Sequence, residues 1–162
     1  MRTLIVTESW FGNTNTIGQR IARGLEAGGA SVEYHSVADA PTAIPEGIDL
    51  LVIGAPTHNR NLSTPASRSQ AASRLNADTK PNATGVREWL PRLSVPEGTD
   101  IAIFDTVTGK NWMSGSAAKA AAKKLGKRTI DVMSFVVTGT EGPLAEGEEE
   151  AAQDWGKSLV RS

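Results

Sequence analysis

Apolar runs that alternate with helix-patterned segments predict an α/β fold built on a parallel sheet. Two of these runs are continuous rather than alternating, which is typical of strands that helices cover on both faces. Such strands are joined by right-handed crossovers, and the sheets they form bind ligands beyond the carboxyl ends of the strands. The predicted strands lie at residues 4–6, 31–37, 50–53, 101–104 and 130–137.

The helices that flank these strands follow from the spacing of apolar residues. Residues 14–28 carry apolar side chains on one helical face and end in two glycines, which suit a left-handed cap. An Ala-rich helix at residues 116–125 precedes the fifth strand. Trp155 lies in an apolar repeat with four-residue spacing, which predicts a helix near the C-terminus that packs on the sheet.

The stretch between the third and fourth strands is unusually long and polar. Residues 64–84 are rich in Ser, Asn, Ala and Arg, and a loop of this length is often functional. We therefore expect one domain over residues 1–162, with an insertion at about 60–84 that carries a weak helix. A capped helix is predicted to follow it at residues 84–90.

The amino-acid composition excludes several classes of protein and of binding site. A chain of 162 residues with 39% hydrophobic content fits one domain, and a formal net charge of −1 gives no general attraction to nucleic acid. There is no cysteine, and His35 and His58 lie far apart, so no metal site is predicted. No apolar stretch approaches the ~20 residues that span a bilayer. We expect a cytoplasmic protein without a membrane span.

The turn after the first strand is the most informative part of the chain. It joins an apolar run to a helix and carries hydroxyls on Ser9 and Thr14 and an amide on Asn13, without Lys or Arg. Free backbone N–H groups and the helix dipole favour an anion there, and neutral donors suit a phosphate monoester. An ordinary helix cap remains the alternative reading, and neither G-x-x-x-x-G-K-[ST] nor G-x-G-x-x-G is present.

Two further turns follow the third and fourth strands. Gly54 to Arg60 exposes backbone groups to a planar polar ligand, and His58 is either a hydrogen-bonding partner of that ligand or an exposed loop histidine. Asp105 to Trp112 ends in a loop tryptophan. Such a side chain stacks on a flat heterocycle or closes a gap between loops.

Together, these turns resemble those of the flavodoxin family. The phosphate turn of that family reads T/S-x-T/S-G-x-T, and five of the six positions fit here. The second loop of the family carries Gly and Pro-Thr elements, which are also present. The turn reads Ser9-Trp10-Phe11-Gly12-Asn13-Thr14, in which Phe11 is the position that does not fit, and the elements of the second loop are Gly54, Pro56 and Thr57.

The resemblance implies a flavodoxin-like three-layer sandwich, with a five-stranded parallel sheet in the order 2-1-3-4-5, that binds FMN noncovalently. FMN would supply the redox chemistry and the protein would tune it. No catalytic residue is predicted. The implied cofactor-binding residues are Ser9, Trp10, Phe11, Gly12, Asn13, Thr14, Pro56, Thr57, His58, Asn59, Asp105, Thr106 and Trp112.

Several positions depart from the family pattern. Phe11 stands where a hydroxyl is expected, and His58 or Asn59 replaces an aromatic residue. The chain is not strongly acidic, as electron-carrying flavodoxins tend to be. The insertion instead brings positive charge towards the proposed flavin ring, in a set of three arginines: Arg60, Arg68 and Arg74.

Three functions remain open at this stage. The first is an FMN protein that transfers electrons to or from a redox partner protein. The second is an FMN-dependent oxidoreductase that uses a nicotinamide donor and reduces a small-molecule acceptor such as a quinone. The third is a flavin-free binding or regulatory module. A phosphoacceptor receiver of the same topology is disfavoured because Gly54 and Ala55 stand where an aspartate is required.

Overall fold

The computed structural model describes residues 1–111 and 113–160. Its strands form one five-stranded sheet in the order β2-β1-β3-β4-β5, and every pairing is parallel. The predicted order 2-1-3-4-5 is therefore confirmed. The strands are β1 (Arg2–Thr7), β2 (Ser31–Ser36), β3 (Leu50–Pro56), β4 (Asp100–Val107) and β5 (Thr129–Val136).

The helices lie where apolar spacing predicts them. The weak helix predicted at about 64–75 is present as α2, and the capped helix continues into a short 3-10 turn at Leu90–Arg92. The helices are α1 (Asn13–Ala27), α2 (Pro65–Arg74), α3 (Val86–Trp89), α4 (Ala117–Leu125) and α5 (Glu148–Ser158). Within the described residues, no helix is long and apolar enough to cross a membrane.

The sheet has an apolar core on each face because successive side chains of a strand point in opposite directions. Leu4 and Val6 belong to the core that includes α3 and α4, whereas Ile5 belongs to the core that includes α1 and α5. Both faces of the central strands are thus buried, which explains their continuous apolar runs.

The helix α1, which follows β1, makes close backbone contact with α5. A Cβ at Gly24 would overlap the backbone of Gln153, and one at Gly156 would overlap the backbone of Ile21. Only glycine allows the two backbones to approach so closely. This contact lies in the C-terminal half of α1, and it therefore fixes where the N-terminus of the same helix lies.

The β3–β4 segment, residues 57–99, is attached to the sheet by a buried polar cluster. Glu8 lies just beyond β1, is 6% exposed, and accepts hydrogen bonds from Ser63 Oγ at 2.5 Å and from Val86 N at 2.8 Å. Arg68 is 1% exposed and donates to Ser63 Oγ at 2.7 Å and to Glu88 Oε1 at 2.5 Å. These charged hydrogen bonds fix α2 and α3 beside the end of β1.

Candidate functional site

The β1 turn, residues 9–14, leads from the end of β1 into the first turn of α1. Gly12 has a φ of 88°, a left-handed conformation that most side chains disfavour. Its carbonyl accepts hydrogen bonds from Thr16 N and Thr16 Oγ1. A Cβ on Gly12 would contact nothing within 4 Å, so the conformation rather than space requires glycine here.

The polar side chains of the β1 turn keep donors available. Ser9 Oγ accepts a hydrogen bond from Asn15 N at 3.3 Å, which leaves its own proton to donate. The hydroxyls of Thr14 and Thr106 lie 2.9 Å apart, and one of the two keeps a proton for another acceptor. Asn13 is anchored by a bond from Nδ2 to the carbonyl of Glu141. This neutral donor set fits a phosphate monoester.

The two aromatic residues of the β1 turn pack against the β3–β4 segment. Trp10 is 5% exposed and donates its indole N–H to Glu8 Oε2 at 3.0 Å. Phe11 packs on a small apolar cluster formed by Trp10, Ala71 and Ala77. Phe11, which stands where the resemblance implies a hydroxyl, thus packs towards α2.

The exits of β3 and β4 are tied together by Asp105. This fully buried carboxylate accepts hydrogen bonds at Oδ2 from Thr57 Oγ1 at 2.9 Å, Ser116 Oγ at 2.6 Å and Ala118 N at 3.0 Å. Its Oδ1 atom is buried and has no hydrogen-bond partner among the described residues. Asp105 thus positions the loops that flank the site.

A tight turn follows β3. His58 and Asn61 exchange backbone hydrogen bonds of 2.9 and 3.0 Å across Asn59 and Arg60, whose φ values are 48° and 68°. The ring of His58 lies 4.3 Å from that of Trp10. Burial lowers the pKa of His58, so its imidazole is neutral near pH 7.

These loops surround one cavity of about 660 Å³ at the carboxyl ends of the strands. Its wall is formed by the β1 turn, the turn after β3, α2, the loop after β4 and the loop after β5. The adjacent registers Thr7–Gly54 and Pro56–Thr106 place three strand ends side by side. A cavity at this edge of a doubly wound sheet is the expected ligand site.

Most of the residues predicted to bind the cofactor line this cavity. Gly12 and Asp105 do not: the first shapes the turn and the second lies beneath the loops. Trp112 lies outside the described residues. The predicted residues that line the cavity are Ser9, Trp10, Phe11, Asn13, Thr14, Pro56, Thr57, His58, Asn59 and Thr106.

The predicted cofactor-binding residues leave out two parts of the cavity wall. Gln70 and Leu75 belong to α2 and its end, and Val137 and Thr140 follow β5. The rule that ligands bind at the carboxyl ends of parallel strands applies equally to the fifth strand and could have pointed to the last two residues. No short motif marks the α2 wall.

Comparison with solved structures supports the architecture. A flavodoxin from the domain Archaea aligns over 98% of this chain and 96% of its own, with a TM-score of 0.64 and 17% identity. Flavodoxin 1 from Bacillus cereus aligns over 96% and 95% of the two chains, with a TM-score of 0.63 and 16% identity. The chain has the flavodoxin-like fold.

A larger protein contains the same fold as one part. Rubredoxin:oxygen oxidoreductase from Desulfovibrio gigas aligns over 98% of this chain but only 35% of its own, with a TM-score of 0.61 and 15% identity. No family model and no curated protein matches the sequence significantly. The likeness is therefore one of fold.

Proposed function

We propose that this chain is an FMN-binding, flavodoxin-like redox protein that transfers electrons to or from a partner. One observation carries the proposal: the loops predicted from a flavodoxin-like motif all line the same cavity, of about 660 Å³, at the carboxyl ends of the strands. The flavodoxins from Archaea and Bacillus cereus, similar over nearly the whole chain, agree with this reading.

The residues of the β1 turn are suited to hold the phosphate of FMN. Ser9 and the Thr14–Thr106 pair have hydroxyl protons to donate, and the first amides of α1 have no intrahelical partners. The turns after β3 and β4 would flank the flavin ring, while Trp10 and Phe11 keep water from one side. FMN, when bound, supplies the electron-transfer chemistry.

A second candidate is an FMN-dependent oxidoreductase that acts on a small molecule. It is favoured by α2, whose residues Gln70, Ala71 and Arg74 form a wall of the cavity. A wall of this kind encloses a small substrate beside a flavin and restricts the access of a protein partner. Flavone reductase aligns over 98% of this chain, with a TM-score of 0.60 and 12% identity.

Replacement of Thr14 by Val tests the cofactor assignment. Loss of one hydroxyl that faces a phosphate should weaken FMN binding by at least about tenfold, since hydrogen bonds to charged groups contribute ~1.5–3 kcal/mol. Riboflavin, which has no phosphate, should bind both proteins equally. Titration monitored by quenching of flavin fluorescence gives both affinities.

The control for this experiment is Thr16→Val. It removes a hydroxyl from the same helix, but one that donates to the carbonyl of Gly12 and does not line the cavity. FMN affinity should change little. Equal losses of FMN and riboflavin in Thr14→Val would contradict the phosphate assignment, and no binding of either flavin would leave the flavin-free module as the better reading.

Steady-state kinetics separates the carrier from the oxidoreductase. The FMN-loaded protein alone is mixed with NADPH and a quinone acceptor, and the oxidation of NADPH is monitored. A carrier should show negligible turnover without its partner protein. Sustained turnover would favour the oxidoreductase.

A further inference from the structure

Among the described residues, those that line the cavity include positively charged side chains and none that is negatively charged. Among the described residues that line it there are two arginines, Arg60 and Arg74, and no aspartate or glutamate. His58 is the remaining titratable group of the wall, and burial keeps it neutral near pH 7 by lowering its pKa. The electrostatic potential inside such a cavity favours an anion.

Among the described residues, the side chains of these two arginines have no ion-pair or hydrogen-bond partner. In the part of the chain that the structure describes, ion pairs involve Arg20, Arg68 and His35, and no hydrogen bond is made by the side chain of Arg60 or Arg74. Arg68, by contrast, donates hydrogen bonds to Glu88 and Ser63. The two guanidinium groups of the wall are therefore free to bind a ligand.

The backbone at Arg60 gives an independent sign that its side chain matters. A two-residue turn with positive φ at both positions favours Asn followed by Gly. Here the second position is Arg60, with a φ of 68°, and the backbone packs so closely on Gly115 that a Cβ there would overlap it. Strain of this kind clusters at ligand sites, where the side chain is needed despite its cost.

The two arginines do not belong to the turn assigned to the FMN phosphate. Arg60 lies on the β3 side of the cavity and touches the loop after β4, while Arg74 lies in the last turn of α2. The β1 turn supplies its own neutral donors. The two arginines thus offer a second set of donors to an anion, from other elements of the same cavity wall.

We propose that Arg60 and Arg74 bind a small-molecule anion, bearing a carboxylate or a phosphate, beside the flavin. This inference rests on the proposed FMN binding and deepens the second candidate function, because it assigns the site to an anionic small-molecule substrate or electron donor. Phe11, Leu75 and Met113 also line the cavity and would contact an apolar body attached to the anionic group. The ligand is thus an anion with an apolar or aromatic part.

A series of ligands with one shape and different charges tests this proposal. 2-Naphthoate, 2-naphthamide and 2-naphthamidine are titrated into the purified full chain by calorimetry, with and without FMN. We expect naphthoate to bind at least about tenfold more tightly than naphthamide, and naphthamidine to bind most weakly, since hydrogen bonds to charged groups are the stronger ones. NADP⁺, titrated in parallel, distinguishes a phosphate from a carboxylate as the favoured anion.

Variants of Arg60 and Arg74 test whether the preference for naphthoate over naphthamide depends on these two side chains. Arg60→Gly and Arg74→Gln should each remove most of the preference for naphthoate over naphthamide, and Arg60→Lys should retain part of it. Arg23→Gln is the matched control, because Arg23 is exposed on α1 and does not line the cavity. Arg60→Gly should also unfold at the same or a higher temperature, which separates loss of binding from loss of structure.

The outcomes that overturn the proposal are distinct from failure of FMN binding. Equal affinities for naphthoate and naphthamide, or a preference that survives both arginine variants, would overturn it. It would also be overturned if these variants weakened FMN but not riboflavin, with naphthoate binding unchanged, because the arginines would then serve the cofactor phosphate. An arginine-dependent preference in a protein that does not bind FMN would support the anion site and contradict the flavin assignment.

Discussion

The two sides of α2 show how differently one polar helix can use its arginines. Arg68 is 1% exposed and lies between Glu88 and Ser63, at 2.5 and 2.7 Å. Arg74 belongs to the last turn of the same helix, is exposed, and faces the cavity. One side of the helix attaches it to the sheet, and the other presents an exposed cation to the cavity.

Within the β3–β4 segment, different residues attach the segment to the sheet and line the cavity. Glu8, which follows β1 directly, accepts hydrogen bonds from Trp10 Nε1, Ser63 Oγ and Val86 N. The carboxylate that holds the segment thus also holds the aromatic side chain of the β1 turn. The cavity wall formed by α2 is therefore placed relative to the turn by the same buried group.

The largest expected effect is a difference between Arg68 and Arg74 in how much each contributes to the free energy of unfolding. Arg68→Met removes a buried cation and leaves Glu88 and Ser63 without their partner, which should lower the free energy of unfolding by about 3 kcal/mol. Arg74→Met removes an exposed cation that has no ion pair among the described residues, and it should change the free energy of unfolding by less than about 0.5 kcal/mol. Urea unfolding of both variants measures the difference. Equal losses would show that the buried cluster does not hold the segment.

A smaller effect is expected from the acid titration of Glu88. Burial alone raises the pKa of this carboxyl, but the hydrogen bond and charge of Arg68, with backbone N–H groups including that of Gly85, hold it below its usual value of 4.5. A carboxyl with a lowered pKa in the folded state stabilises the protein above its unfolded-state pKa. That stabilisation is lost as the pH falls through the folded-state value.

The measurement is the unfolding free energy of the wild type and Glu88→Gln as the pH is lowered. The difference between the two proteins should be largest at neutral pH and should shrink as the pH falls below 4.5. Glu26→Gln, an exposed position on α1, serves as the control. A difference that stays constant with pH would show that the Arg68–Glu88 pair contributes nothing that depends on charge.

The fold could be predicted from the sequence because its signals are local. Each strand is a short apolar run, each helix has apolar residues at helical spacing, and the alternation of the two dictates a parallel sheet. The helix at Pro65–Arg74 has few apolar residues, yet Thr64 and Ser67 form a capping box that marks its start. Local chemistry was therefore sufficient even in the most polar part of the chain.

The site could be predicted only in part because burial and pairing depend on distant residues. Asp105 follows an apolar run and was predicted to flank the flavin, but hydrogen bonds from Thr57 and Ser116 hold it beneath the loops. The three arginines of the segment looked alike in the sequence. Only the three-dimensional position of Glu88 decides that Arg68 is a structural group.

The smallest effect concerns the strained turn at Arg60. Arg60→Gly and Arg60→Ala both remove the guanidinium group, but only glycine relieves the left-handed backbone. The glycine variant should gain about 0.5 kcal/mol in unfolding free energy, since the strain relieved slightly exceeds the freedom that glycine adds to the unfolded chain. The alanine variant should show no gain. If both variants lost stability equally, the guanidinium group would be holding the fold, and Arg60 would belong with Arg68 rather than with Arg74.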